Sequence, residues 1–366
     1  MAAGHATAGI VAKAYRDGHD RIRDGGRVAA EDRFESARNG GTLSKGTSQR
    51  IYDRLPIPLQ NLAVSAYGFR LQLERYGGNS RSFTEELLKH ERWSSEQFEE
   101  LQLTLLRERA ALALERVPAY RKLASNLPHI RAARTAAEIL EPFPVLTKEE
   151  VRLAPESFIP KGVTERLLSA NTGGTTGTPL RLFRTLSGIR NNFAFFRRIR
   201  HWRGLSHWSR TATLMGRLTV PEEQSQPPYW RHSYLTKNLL FSSYHMSPDT
   251  LPAYAQALAD FRPEQIVCYP SSGTLMARAV LDAKLSLDGI RAVFTTAETV
   301  SSMQRDLMER AFGCPVADQY GSGEWTVTVS QCEQGTYHLH PEYGYLEILD
   351  ESGRSVSAGS ETTASS

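Results

Sequence analysis

Three short segments carry residue types able to do chemistry together. The first is Thr172-Gly173-Gly174-Thr175-Thr176-Gly177-Thr178-Pro179. Its three glycines let the backbone approach a ligand closely, and the hydroxyls of Thr172, Thr175, Thr176 and Thr178 add donors beside the backbone N–H groups. Such a loop can wrap a polyanion in a nest of donors. No Gly-Lys-Ser/Thr follows it, so it is not a Walker A loop, and a plain Gly/Thr linker is the competing reading. The second segment is Gln319-Tyr320-Gly321-Ser322-Gly323-Glu324, directly after a predicted strand. A Tyr there can stack on a flat base, and a Glu just past a Gly turn can hold magnesium through a hard oxygen. A tight turn with a solvated Glu competes. The third, Thr295-Thr296-Ala297-Glu298, has small side chains that would let a nucleotide ring lie flat against the backbone.

Elements must hold these segments in place. Ile266-Val267-Cys268-Tyr269, Ala292-Val293-Phe294 and Val316 to Tyr320 read as short buried strands, with Leu180–Phe183 and Tyr345–Leu349 as further ones. Helices fall between them. Ser247-Pro248 predicts a helix start with Leu251, Tyr254 and Leu258 as its buried stripe, Ala279 to Leu285 is helical, and Ser301 with Gln304 forms a capping box for a helix that ends at Gly313. Strands alternating with helices imply an α/β domain with a largely parallel sheet, whose ligands bind beyond the carboxyl ends of the strands. Upstream the chain is mainly helical. Leu59, Leu62, Val64, Tyr67, Phe69 and Leu71 predict a helix packed on the body and broken at Gly77-Gly78-Asn79. Capping boxes at Ser94/Gln97 and Thr147/Glu150 open two more. The expected organisation is a poorly ordered leader over 1–50, a mainly helical part over 51–160, an α/β nucleotide-binding part over 161–350 and a frayed tail over 351–366.

Composition narrows the function classes. Of 366 residues, 40% are hydrophobic and 23% charged, with 44 Lys plus Arg against 40 Asp plus Glu, a net +4. Residues 1–50 alone hold nine basic and six acidic side chains, so the remainder is almost neutral. A nucleic-acid groove or a polybasic membrane patch has no support in that balance. Three scattered cysteines, Cys268, Cys314 and Cys332, make no disulfide framework and point to a reducing cytosol. No apolar run reaches bilayer-spanning length. A cytoplasmic protein is expected.

In their order and spacing, the three segments resemble those of the adenylate-forming superfamily, and within it the phenylacetate–CoA ligase-like family, especially its capsular polysaccharide-associated branch. The family's T-S-G-T-T-G-x-P loop is matched by Thr172 to Pro179 with Gly173 in place of Ser, and its G-A-E by Ala297-Glu298 with Thr296 in place of Gly. Its Y-G-x-[ST]-E is matched by Tyr320-Gly321-Ser322-Gly323-Glu324, with Gly323 where a hydroxyl residue is usual. Trp93-Ser94, Val117-Pro118-Ala119-Tyr120-Arg121 and Phe143-Pro144-Val145-Leu146-Thr147-Lys148 are similar to that family's approach to the loop, so coverage runs over roughly 51–350.

The resemblance implies the large domain of an acyl-CoA synthetase-like fold and a two-step reaction. A carboxylate attacks the α-phosphate of ATP, and coenzyme A or another thiol then takes the acyl group. By the match, Thr172 to Thr178 would hold phosphates, with Thr175 and Thr176 as catalytic residues beside Glu324, the magnesium ligand. Tyr320, Gly321 and Ser322 would meet the nucleotide, Ala297 and Glu298 would line the adenine pocket, and Tyr269, Ser271, Ser272 and Gly273 would border the acyl group. Expected partners are ATP, Mg2+, coenzyme A as co-substrate and a small carboxylic acid, with no nucleic acid and no membrane span, and with a homodimer left open. Cys332 and His338 form the C-x5-H that supplies two zinc ligands in some relatives; the two later cysteines are absent, so zinc is not expected. The family continues into a ribose-binding Asp and a lid domain with a catalytic Lys. Neither appears here, so turnover by a shortened chain stands against a non-catalytic nucleotide-binding or partner-binding relative. A Gly/Thr-loop phosphotransferase is disfavoured, because no Walker lysine or kinase-type Asp motif accompanies the loop.

Overall fold

The computed structural model describes residues 12–14, 45–171, 180–216 and 219–348. The Gly/Thr loop Thr172–Pro179 and the tail 351–366 lie outside these residues, as does most of the leader. Three leader residues form strand β1 (Ala12–Ala14), paired in parallel with β12 (Leu346–Ile348).

The centre is an eight-stranded sheet. Its parallel core is β9 (Val316–Gly321), β8 (Ala292–Thr296), β7 (Gln265–Cys268), β4 (Thr211–Leu214) and β6 (Asn238–Phe241), in that spatial order. Antiparallel strands extend it at both sides: β10 (Thr328–Gln331) and β11 (Tyr337–Leu339) beyond β9, and β5 (Trp230–Ser233) beyond β6. The central strands are buried on both faces, which is why Ile266 and Val293 stand in plain apolar runs. One face is covered by α9 (Leu251–Phe261), α10 (Pro270–Asp282) and α11 (Ser302–Phe312), whose Tyr254, Leu258, Met276, Val280, Met308 and Phe312 join the main core. The other face meets α8 (Leu186–Trp202), whose Ile199 packs with Phe294 and Ala317.

The upstream region is helical: α1 (Lys45–Arg54), α2 (Ile57–Tyr76), α3 (Ser80–His90), α4 (Ser95–Arg116), α5 (Leu127–Ala132), α6 (Ala136–Leu140) and α7 (Lys148–Leu153). It has a small core of its own around Ala113, Leu114, Ile130, Ile139 and Phe143. All three capping boxes form as read, at Ser94/Gln97, Thr147/Glu150 and Ser301/Gln304, and Gly313 closes α11 at φ 66°. Two helix starts differ from the sequence reading, while α10 ends at Asp282 rather than Leu285 and strand ends shift by one or two residues. Helix α9 starts at Leu251 rather than beside Ser247, because the Thr250 hydroxyl takes the Ser247 N–H into a local turn first. Helix α10 starts at Pro270, nine residues before Ala279, with Pro pre-set at its first turn.

A buried ionic cluster ties the helical region to the sheet. Arg198 of α8 donates to Glu342 at 2.8 Å, and Glu342 also meets His90 of α3 at 3.2 Å. Arg198 further contacts His340, whose other ring nitrogen lies 3.1 Å from the Ser330 hydroxyl. Burial and the Arg198 charge push the pKa of His340 well below the usual histidine value, so the ring is neutral.

Candidate active site

Parallel register is what gathers the candidate residues. Cys268 of β7 pairs with Thr295 of β8, and Thr296 of β8 pairs with Gln319 of β9. The carboxyl ends of three neighbouring strands therefore lie side by side, bringing Tyr269, Ala297-Glu298 and Tyr320 to Glu324 to one edge. In an open α/β sheet that edge is where ligands bind.

Each end has its own construction. After β8, Ala297 sits at φ 69°, a left-handed conformation that costs a residue with a Cβ about 1–2 kcal/mol. Strain of this kind collects at functional turns. It turns the Glu298 carboxylate onto the start of α10, where it accepts from both the Ser271 N–H and the Ser271 hydroxyl at 2.9 Å. A carboxylate at a helix N-terminus also meets the positive end of the helix dipole. The acyl-border segment is thus the first turn of a helix. Tyr269 is its buried N-cap residue, and Ser272 donates to Leu214 O at 2.7 Å and to Tyr269 O at 3.1 Å. At Gly273 an added Cβ would lie 2.7 Å from Cys268 Sγ and from Met308 Sδ. Burial, with Glu298 nearby, pushes the Cys268 thiol up, so it is an inert core group.

After β9 the chain turns sharply. The Trp325 N–H donates to Ser322 O at 3.1 Å, Trp325 adopts φ 59°, and the Ser322 and Thr326 hydroxyls are 3.1 Å apart. Tyr320 presents a ring 57% exposed, free to stack. Below it, Asp318 accepts from Thr295 Oγ1 at 2.6 Å and from the Tyr337 hydroxyl at 2.8 Å. Burial and the Asp318 carboxylate push Tyr337 up to about 12. Glu324 is half-buried and has no hydrogen bond or ion pair among the described residues.

The loop Thr172–Pro179 has its two ends in a hairpin, β2 (Leu168–Asn171) with β3 (Arg181–Arg184), where Asn171 pairs with Arg181. Arg184 fastens this hairpin to the turn after β9. Its guanidinium donates to Gly323 O at 2.5 Å and lies 3.6 Å from the Trp325 ring centroid. Sequence reading missed Arg184 and Trp325. The signal available was a basic residue closing the short strand after the loop, which has no meaning until the other segment is placed beside it. Beyond Trp325, a cavity of about 160 Å3 opens between α4, α8 and residues 341–345, lined by Leu105, Arg109, Asn191, Phe195 and Tyr343.

Cys332 lies in the turn between β10 and β11, and His338 stands on β11 opposite Ser330. No group of three or more His, Cys, Asp or Glu that could hold a metal occurs among the described residues.

A sheet with this strand order and helical region is the fold of the adenylate-forming CoA ligases. The chain aligns with 2-hydroxyisobutyryl-CoA ligase in complex with 2-HIB-AMP and CoA at TM-score 0.51 and 17% identity, covering 72% of this chain and 58% of the ligase. With an open conformation of that ligase the TM-score is 0.51 and the identity 17%, over 70% of this chain and 62% of the other. In sequence it is 26% identical over 298 residues to Protein CapK of Staphylococcus aureus, covering 81% of this chain and 65% of that protein. The chain therefore spans less than two thirds of each of these relatives. No family model matches it.

Proposed function

We propose that this chain binds ATP and activates a small carboxylic acid as its acyl-adenylate, for later transfer to a thiol such as coenzyme A, as in the phenylacetate–CoA ligase-like family. The observation that carries the reading is the joining of two separate segments. Arg184 fastens the hairpin bearing the Gly/Thr loop to the turn bearing Tyr320 and Glu324.

Adenylation sets two anions face to face, so it needs alignment and charge neutralisation rather than a protein nucleophile. Tyr320 offers an exposed ring for adenine. Thr172 to Thr178 are the proposed phosphate donors, with Thr175 and Thr176 as the proposed catalytic residues among them. Glu298 acts by holding the start of α10 against the end of β8, which keeps the shelf beside Ala297 flat. Glu324 fits a magnesium ligand, being a hard carboxylate oxygen donor with no partner among the described residues. Magnesium, when bound, would neutralise phosphate charge. Gly323 lacks the hydroxyl usual in the family, and a lost hydrogen bond to a charged group is worth ~1.5–3 kcal/mol; Ser322 is the neighbouring substitute.

The test is ATP affinity and acid-dependent ATP–pyrophosphate exchange over a panel of aryl and alkyl acids. Glu324→Gln should abolish magnesium-dependent ATP binding with the thermal melt unchanged. Unaltered binding in that variant would remove Glu324 from the site. ATP binding without exchange for any acid would replace the ligase reading with a nucleotide-binding one.

A further inference from the structure

The cavity of about 160 Å3 beside Trp325 is separate from the adenine and acyl segments. Among the described residues its wall comes from α3, α4, α8, Leu140, Trp325 and residues 341–345, and none of 269–273 or 297–298 reaches it. Most of that wall is carbon: Leu101, Leu105 and Leu106 of α4 line it together with Phe83, Phe195 and Trp325. Ordered water needs about two to four polar partners, so such a wall holds it poorly. A dry apolar cavity of about 150 Å3 takes one benzene ring, and this space is therefore sized for a single ring. The aromatic side chains already stand edge to face, Phe83 to Phe195 at 75° and Phe195 to Tyr343 at 79°. A further flat ring finds there the offset and T-shaped contacts that aromatic pairs prefer.

The polar groups narrow the choice of ring. Several of them already have partners: His90 and Glu342 meet at 3.2 Å, Gln102 donates to Gly344 O at 3.2 Å, and Asn192 accepts from the Tyr343 hydroxyl at 2.6 Å. Asn191 differs. It is only 8% exposed, lines the cavity, and its Oδ1 has no hydrogen-bond partner among the described residues. A buried amide of this kind calls for a partner. A hydroxyl serves in either orientation of the amide, because it can donate to the oxygen or accept from the N–H. Charge in the wall cancels, with Arg109 set against Glu86, and Glu342 matched by Arg198 at 2.8 Å. Nothing there selects an ion.

We propose that this cavity is a binding site for a neutral single-ring phenol, its ring among the α4 leucines and Phe195 and its hydroxyl on the Asn191 amide. The proposal stands apart from the adenylation reading, since it concerns a second site and its test contains no ATP.

The experiment is calorimetric titration of the 366-residue chain with phenol, with toluene as the isostere that lacks the hydroxyl and benzoate as the charged one. Phenol should bind about fivefold more tightly than toluene and at least about tenfold more tightly than benzoate. It should also shift the indole N–H proton resonance that Trp325→Phe removes. Asn191→Leu should abolish the preference for phenol over toluene without lowering the thermal melt, because it removes an unpartnered amide. Leu105→Trp fills the space from a half-buried position and should weaken phenol and toluene binding at least about tenfold. Absence of phenol binding, full binding by folded Leu105→Trp, or an unchanged phenol preference in Asn191→Leu would overturn the proposal. So would tighter binding of benzoate than of phenol that Leu105→Trp abolishes, which would make the site an anion site governed by Arg109.

Discussion

Helices α10 and α2 both meet the sheet through side-chain oxygens that accept backbone N–H groups, yet they turn opposite faces to it. At α10 the polar contact is confined to one end, where Glu298 accepts from Ser271, and the rest of the inward face is Met276, Ala277 and Val280. At α2 the polar contacts run along its N-terminal half, through Gln60, Asn61 and Ser65, and Leu59, Leu62 and Leu73 point out while Leu71 is buried. The strands decide the difference. Beneath α10 the strands already have ladder partners on both sides and want only apolar cover. Strand β5 lacks a partner on one side, so its neighbour must bring donors and acceptors. Which face of a helix is buried follows from what the adjoining strand still lacks.

Substitutions can break that contrast. The largest effect should come at Gly273, where a Cβ would press on Cys268 Sγ and Met308 Sδ at 2.7 Å. Gly273→Leu overpacks a filled core and should cost about 3 kcal/mol in a denaturant melt. A cost under about 0.5 kcal/mol would mean that α10 does not pack closely on β7.

At the edge, Ser65→Ala removes no apolar contact but leaves the Tyr234 N–H without its acceptor. The expected cost is about 1–3 kcal/mol, with accelerated amide exchange at Tyr234. Unchanged exchange there would break the account of α2 as the partner of β5.

A third junction, between α8 and the segment after β11, should respond to pH. The folded-state pKa of His340 is lowered by burial and by Arg198, so the unfolded chain takes up a proton near pH 6.5 that the folded chain refuses. Stability from this group is complete above about pH 6.5 and falls as pH drops, by about 1.4 kcal/mol per unit, until the folded pKa is reached. His207, lowered to about 4 chiefly by burial, adds a smaller loss of the same sign. Urea melts between pH 7 and 5 should show this slope, and His340→Gln should flatten it. An equal slope in the variant would place the proton elsewhere.

The smallest effect is expected at Gly68 of α2. An added Cβ there would meet the Ser233 hydroxyl at 2.9 Å, a group that can rotate away. Gly68→Ala should therefore stay within about 1 kcal/mol of wild type, the helix-propensity gain offsetting the shift. A loss as large as that at Gly273 would show the edge to be as tightly packed as the core.

Much of the fold was legible in local pattern. The capping boxes at Ser94, Thr147 and Ser301, the Gly313 stop and the strands at 265–268, 292–296 and 316–321 all rest on residues within one turn or one strand of each other. Short strands such as Thr211–Leu214 and Trp230–Ser233 were missed, because threonine and polar residues hide an element whose burial comes from its neighbours. The candidate site divides in the same way. Tyr320 and Glu324 could be proposed from their spacing, whereas Arg184 gains a role only when a hairpin 139 residues earlier in the chain comes to rest beside Gly323. For α2, sequence determined that 57–76 is helical and rich in leucine. Only the tertiary structure decided that Leu59, Leu62 and Leu73 face outward while Leu71 is buried, because polar side chains were needed to complete the backbone hydrogen bonds of a strand more than 150 residues away.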